Sequence, residues 1–195
     1  MARMTAEELL TSYEAGRRSF IEIWFQEGID LSGVDLSSVD PRRCSFQDCQ
    51  FVKANFSGAN LVGVNLGGCG FVEVTFEGAD LTRASLEASV LTNCNFRRAN
   101  LEGATFCRRT VYDSDFEGAN LRGVNMNRAT FNGVNMKSAC LEGIIADDET
   151  VLGPADLTGA IGFDIKSIPC GQITLPNGEL LRNVGWALPT AHVEP

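Results

Sequence analysis

Residues 54–68 read ANFSGANLVGVNLGG, three five-residue units that each place a small residue, an asparagine and a large apolar residue in succession. Extended in both directions, the same frame runs from Ile29 to Leu141 without an insertion or deletion. With the large apolar residue taken as the centre of each unit, twenty-two of the twenty-three centres are Leu, Phe, Met or Val, and Pro41 is the exception. Two residues before each centre stands Ala, Val, Ile, Ser or Cys in twenty-two of twenty-three units, and Arg109 is the single departure. A period of five matches neither the alternation of a strand nor the turn of a helix, so each unit is a short extended piece followed by a corner. Glycine closes many units, as at Gly58, Gly63, Gly103 and Gly123, where a tight turn calls for positive φ.

Residue identity also correlates at a spacing of twenty. Leu61, Leu81, Leu101, Leu121 and Leu141 form one series, and Phe56, Phe76, Phe96 and Phe116 the next. Four units per coil would stack like on like. Outside the core the same spacing alternates charge, Glu77 with Arg97, Glu117 and Lys137, and Glu102 with Arg122 and Glu142. Coils about 4.8 Å apart bring such neighbours into ion-pair range.

This pattern resembles the pentapeptide-repeat family, whose repeat is A(D/N)LXX. The resemblance implies an all-β fold, a right-handed quadrilateral β-solenoid with four repeats per coil. The segment ELLTSYEAGRRSF, residues 8–20, is similar to the entry segment of cyanobacterial members. Three regions follow: an N-terminal helical cap over 1–28, the solenoid over 29–145, and a C-terminal cap and tail over 146–195. Caps are needed because an end coil exposes unpaired backbone and an open apolar core.

The first cap opens with a helix at Thr5, in capping-box spacing with Glu8, and stops near Gly16. From Ser19 to Gln26 the pattern fits two structures. Ile21, Ile23 and Phe25 alternate like a strand, while Phe20, Trp24 and Phe25 could extend the helix. Beyond Leu141 the frame lapses over IIADDETVLGP and returns one residue out of phase at Ala155 and Leu157. The tail, with Ile165, Ile168, Ile173, Leu175, Leu180, Leu181, Val184 and Trp186, is too apolar for a linker. It reads as a cap, or as a homodimer contact, with ITLPNGELL a hairpin turning at Pro176-Asn177-Gly178.

Chemistry has little to work with. The one histidine is His192, there is no glycine-rich phosphate loop, and no histidine-carboxylate metal spacing. No catalytic, cofactor or metal residues are assigned, and Asp147, Asp148 and Glu149 read as a solvated acidic loop. Asn55, Asn60, Asp80 and Asn100 read as corner residues that satisfy turn backbone. Seven cysteines without an export signal suggest reduced thiols in the cytoplasm. Cys44, Cys49, Cys69 and Cys94 take the small inward position, and Cys49 and Cys69 stack one coil apart. Any reactive thiol would be Cys107, Cys140 or Cys170. No apolar run approaches the roughly 20 residues of a membrane span.

Two functions compete. The resemblance implies that some family members protect DNA gyrase by imitating a duplex, and the net charge of −9 invites that reading. Yet residues 29–145 are nearly balanced, with thirteen acidic and eleven basic side chains, so the negative excess sits at the ends. The other function is a non-enzymatic protein-binding scaffold or regulator with an unidentified protein partner, no nucleic acid, and a monomeric or weakly dimeric state. Its surface is an apolar stripe of Val52, Val72, Val90 and Tyr112, with Arg109 beside it. Arg109 is expected to turn outward through a bulge or to pair with Asp113, since a lone guanidinium is costly to bury.

Overall fold

The computed structural model describes residues 2–25, 28–163 and 170–181. The chain winds as a right-handed quadrilateral β-solenoid in which each five-residue unit contributes one side. Backbone ladders join coils at a spacing of twenty: the Phe56 N–H donates to Thr75 O at 2.8 Å, and the Thr75 N–H to Ala54 O at 3.1 Å. Corners close when the residue three beyond a centre bonds back to it, as the Ala59 N–H does to Phe56 O at 3.0 Å. The residue before that donor has positive φ, +64° at Gly58, which makes this a type II turn. Asn55, Asp80 and Asn100 serve as corner residues, each accepting from the backbone N–H two positions on.

On one side the ladder lengthens into regular strands: β3 (Gln50–Val52), β4 (Gly70–Val72), β5 (Val90–Thr92), β6 (Thr110–Tyr112), β7 (Thr130–Asn132) and β9 (Val151–Leu152). They form a six-stranded, wholly parallel sheet. The β-branched and aromatic residues concentrated there suit extended backbone. Until the last coils the other sides are held by single bridges such as Asn60 to Asp80 and Asp80 to Asn100.

The interior is a continuous apolar column. Phe56, Phe76, Phe96 and Phe116 stack with centroid separations of 5.4, 4.8 and 4.8 Å. Each contributes its buried area, roughly 1.5–3 kcal/mol, and a smaller term from ring stacking. Outside it, Arg97 bridges Asp115 and Glu117 at 2.9 and 2.7 Å, and Arg122 meets Glu142 at 3.5 Å. The charge ladder is realised with changed partners elsewhere: Glu77 contacts Arg98, not Arg97, and Lys137 contacts Asp156.

At the N-terminal end the helix α1 (Ala6–Glu14) has the expected reciprocal cap. The Glu8 N–H donates to Thr5 Oγ1 and the Thr5 N–H to Glu8 Oε2. Leu9 is buried, and the Tyr13 hydroxyl donates to Ser37 O at 2.8 Å, tying the helix to the first coil. The ambiguous stretch resolves as a strand, β2 (Ile23–Phe25), with Ile23 and Phe25 inward and Trp24 50% exposed. An unanticipated strand, β1 (Ala2–Met4), adds to it in parallel.

The stack runs on past residue 145. Ile145 bridges Asn125 at the usual spacing, but Val151 pairs with Thr130, so one extra residue is accommodated in the intervening loop. Asp147 organises that loop by accepting from the Arg128 N–H, the Glu149 N–H and the Thr150 hydroxyl. The Arg128 backbone bond is the main reason its carboxyl titrates below the usual range. Strands β8 (Val134–Asn135), β10 (Ala155–Asp156) and β11 (Ile173–Thr174) continue in parallel, one phase over. The anticipated hairpin then brings β12 (Leu180–Leu181) back antiparallel, through a turn in which the Gly178 N–H donates to Leu175 O. Ile165, Ile168, Val184, Trp186 and His192 lie outside the described residues.

Candidate partner-binding face

Strand register fixes what the long sheet presents. One outward row is Gln50, Gly70, Val90, Thr110 and Thr130, and the other is Val52, Val72, Thr92, Tyr112 and Asn132. Val52, Val72 and Tyr112 therefore share a row, while Val90 stands in the neighbouring one. Their exposures are 37, 37, 42 and 53%, large for apolar side chains in regular strands. From Gln50 to Asn132 neither row contains a charged residue, whereas the outward rows through Arg97 and Arg122 are laced with ion pairs.

Charge reappears only at the two corners that border this side. The corner before the strands carries Asp48, Gly68, Ala88, Arg108 and Arg128; the corner after them carries Lys53, Glu73, Asn93, Asp113 and Gly133. All the charged members are exposed, and Lys53 and Glu73 pair loosely at 3.6 Å. These corner residues were not singled out from the sequence, although the register of twenty already aligned them.

Arg109 does not belong to the surface. It is 2% exposed and points into the solenoid, in the inward row of Cys49, Cys69, Ser89 and Ala129. Neither the outward bulge nor a pair with Asp113 is formed. Its guanidinium lies over the Phe106 ring at 5.2 Å, and Nε, Nη1 and Nη2 have no hydrogen-bond partner among the described residues. Room comes from the same coil, where Val111 fills a centre that is Phe51, Phe71, Leu91 and Phe131 in other coils. A long side chain two residues earlier replaces the missing volume. Burial drives its pKa down to about 9.

Five of the seven thiols fill core positions. Cys44 and Cys69 donate to the carbonyls of Phe20 and Phe46. Burial pushes Cys44, Cys94 and Cys170 up to about 11, and the thiol contact with Cys49 raises Cys69 further. Cys170, read from the sequence as a candidate for reactivity, is buried, whereas Cys107 and Cys140 are half-buried. A cavity of about 10 Å³ under the last coils, lined by Met126, Phe131, Met136 and Phe163, is apolar and no larger than one water. Among the described residues no His, Cys, Asp and Glu cluster could hold a metal ion, and no helix is long and apolar enough to cross a membrane.

A family model described as pentapeptide repeats matches eight copies over residues 29–68, 69–106 and 112–145. The chain belongs to the pentapeptide-repeat family. The match passes over residues 107–111, the part of this pentapeptide-repeat solenoid that contains Arg109 and Val111. Among solved structures, the chain is similar to HetL from the cyanobacterium Nostoc sp. strain PCC 7120, a pentapeptide-repeat protein involved in heterocyst differentiation regulation. The two are 20% identical over 91% of this chain and 100% of that one, with a TM-score of 0.36. Rfr23 from the cyanobacterium Cyanothece 51142 is 21% identical over 74% and 98%, with a TM-score of 0.38. QnrB1, a plasmid-mediated fluoroquinolone resistance protein, is 18% identical over 82% and 91%, with a TM-score of 0.36. At such identities the likeness concerns the fold. No curated protein matches the chain by sequence.

Proposed function

We propose that this protein is a non-enzymatic scaffold or regulator that works in the cytoplasm by holding a protein on the uncharged side of its solenoid. The observation that carries this reading is the pair of charge-free rows on the long sheet, with four exposed apolar side chains in regular register. Water contact with so ordered an apolar strip is unfavourable, and a covering protein removes it. The described coils close their core with side chains and leave no pocket of substrate size, which favours a binding role. Buried thiols that donate to carbonyls fit a reducing compartment.

Imitation of a DNA duplex is the less favoured reading, because bases interrupt the outward acids along the rod. Arg97 neutralises Asp115 and Glu117, Lys137 meets Asp156, and Arg122 meets Glu142. A phosphate-like surface needs unbroken negative potential along the rod.

The test is affinity capture from the native cell extract with the wild-type protein and a Tyr112→Ala, Val72→Ser variant, alongside inhibition of gyrase supercoiling at low and moderate salt. Equal capture by both forms removes this side from consideration. Loss of a partner at least tenfold, with unchanged melting, supports it. Salt-sensitive gyrase inhibition would favour the duplex reading.

A further inference from the structure

We propose that the uncharged side receives a second copy of the same chain, docked face to face with the two rods antiparallel about a two-fold axis between β4 and β5. This rests on the reading that the side is a binding surface, and it names the occupant. A two-fold axis in that place makes each row meet its own reverse. In the apolar row, Val52 faces Tyr112 of the second copy and Val72 faces Thr92 of the second copy, each contact occurring twice. In the other row, Val90 faces Gly70 of the second copy, over which the Gln50 amide lies.

The bordering charges pair under the same operation. Lys53 meets Asp113 of the second copy, and Asp48 meets Arg108 of the second copy, four attractive contacts in all. Glu73 meets the neutral Asn93 of the second copy. The register is selective. Sliding the copies by one coil sets Glu73 against itself, and sliding the other way brings Asp48 to Arg128 of the second copy but sets Glu73 against Asp113 of the second copy. A parallel two-fold arrangement also matches the corner charges, but it lays the apolar row on the mixed row, so Tyr112 meets Thr110 and Val52 meets Gln50. Of the two, only the antiparallel arrangement sets Val52 on Tyr112, an apolar contact made twice.

Size sets the strength. Four strands about 4.8 Å apart and about 10 Å long give a footprint of roughly 190 Å² per copy. That is well below the roughly 800 Å² per partner of a standard stable interface, so this dimer is weak and reversible. Its corner contacts are solvent-exposed, so association falls as salt rises.

Asp48 and Arg108 test the arrangement, because within one chain they are three coils apart and do not touch. Sedimentation equilibrium over rising protein concentration, at low and moderate salt, compares wild type, Asp48→Arg, Arg108→Asp and the double exchange. Both positions are positive-φ corners of the kind that holds Arg at 43, 83 and 98 and Asp at 113, so folding is retained. The expected result is a salt-sensitive wild-type dimer, association weakened about tenfold or more by each single change, and recovery in the double exchange. In the parallel arrangement the double exchange sets a guanidinium at position 48 against Lys53 and a carboxylate at position 108 against Asp113, so association would not recover. A wild-type monomer at all concentrations, or a dimer indifferent to these changes, overturns the proposal. If a monomer still loses a different captured protein on Tyr112→Ala, the binding side stands and the second copy is excluded.

Discussion

Arg109 shows how far a single residue can be read before its neighbours are placed. Its departure from the small inward consensus is plain in the sequence, but desolvation cost alone predicts that it turns outward or pairs with Asp113. What reverses the outcome is Val111, which vacates volume that the Arg109 stem fills. The guanidinium remains unpaired among the described residues, so Arg109→Met keeps the packing and removes a buried charge. We expect the variant to be more stable by about 1–4 kcal/mol, read as a higher midpoint in urea at unchanged slope. The pH dependence has a definite sign. Burial lowers the Arg109 pKa to about 9 in the folded chain, below the ordinary guanidinium range, so between the folded and the ordinary value the unfolded chain binds the extra proton. Below about pH 9 both states are protonated and the penalty is constant. As pH rises above that, the folded chain gains stability relative to Arg109→Met, so the two midpoints converge. Parallel midpoints up to about pH 11 would mean that the guanidinium is solvated.

At the scale of the element, the corner is the unit whose chemistry was most legible, because glycine recurs where the backbone turns. The sequence could not show that fourteen non-glycine residues among those described adopt the same positive φ. Periodicity reports burial, and a corner side chain is exposed whatever its φ. Ala88, at φ +53°, gains nothing local to offset the strain, since its side chain makes no polar contact. Ala88→Gly should therefore leave stability unchanged or raise it by up to about 1 kcal/mol, strain relief outweighing the added freedom of the unfolded chain. Gly103→Ala, at φ +65° with room for the methyl group, should cost about 1 kcal/mol. Thermal melting of the pair checks the sign, and two equal losses would refute the strain argument. Other elements escaped detection for different reasons. β1 is three residues long and pairs with a strand twenty-one positions on, so no local pattern announces it. The phase shift after Leu141 was visible, but not that a single inserted residue lets the stack continue, since that depends on the bonds Asp147 makes.

On the scale of the whole molecule, each coil touches only the coils above and below, so stability is close to a sum along one dimension. The stacked centres make position along the rod decisive. Leu101 lies in the middle of the column and Leu157 near its last described coils, yet both are fully buried. A carboxylate at either place loses solvation without gaining a partner. At Leu101 the disrupted coil severs the column, leaving two short stacks that each present an open apolar end. Leu101→Asp should therefore abolish the cooperative transition and the far-ultraviolet β signal together. At Leu157 the same charge can be relieved by opening the terminal coils alone, which costs only their nearest-neighbour contacts. Leu157→Asp should keep most of the β signal and leave the amides of Phe56, Phe76 and Phe96 protected from exchange, while those of Met136 and of the coil around position 157 exchange rapidly. If Leu157→Asp unfolded the entire rod, the coils would be coupled well beyond nearest neighbours, and the C-terminal stack would have to act as an obligatory cap for the whole solenoid.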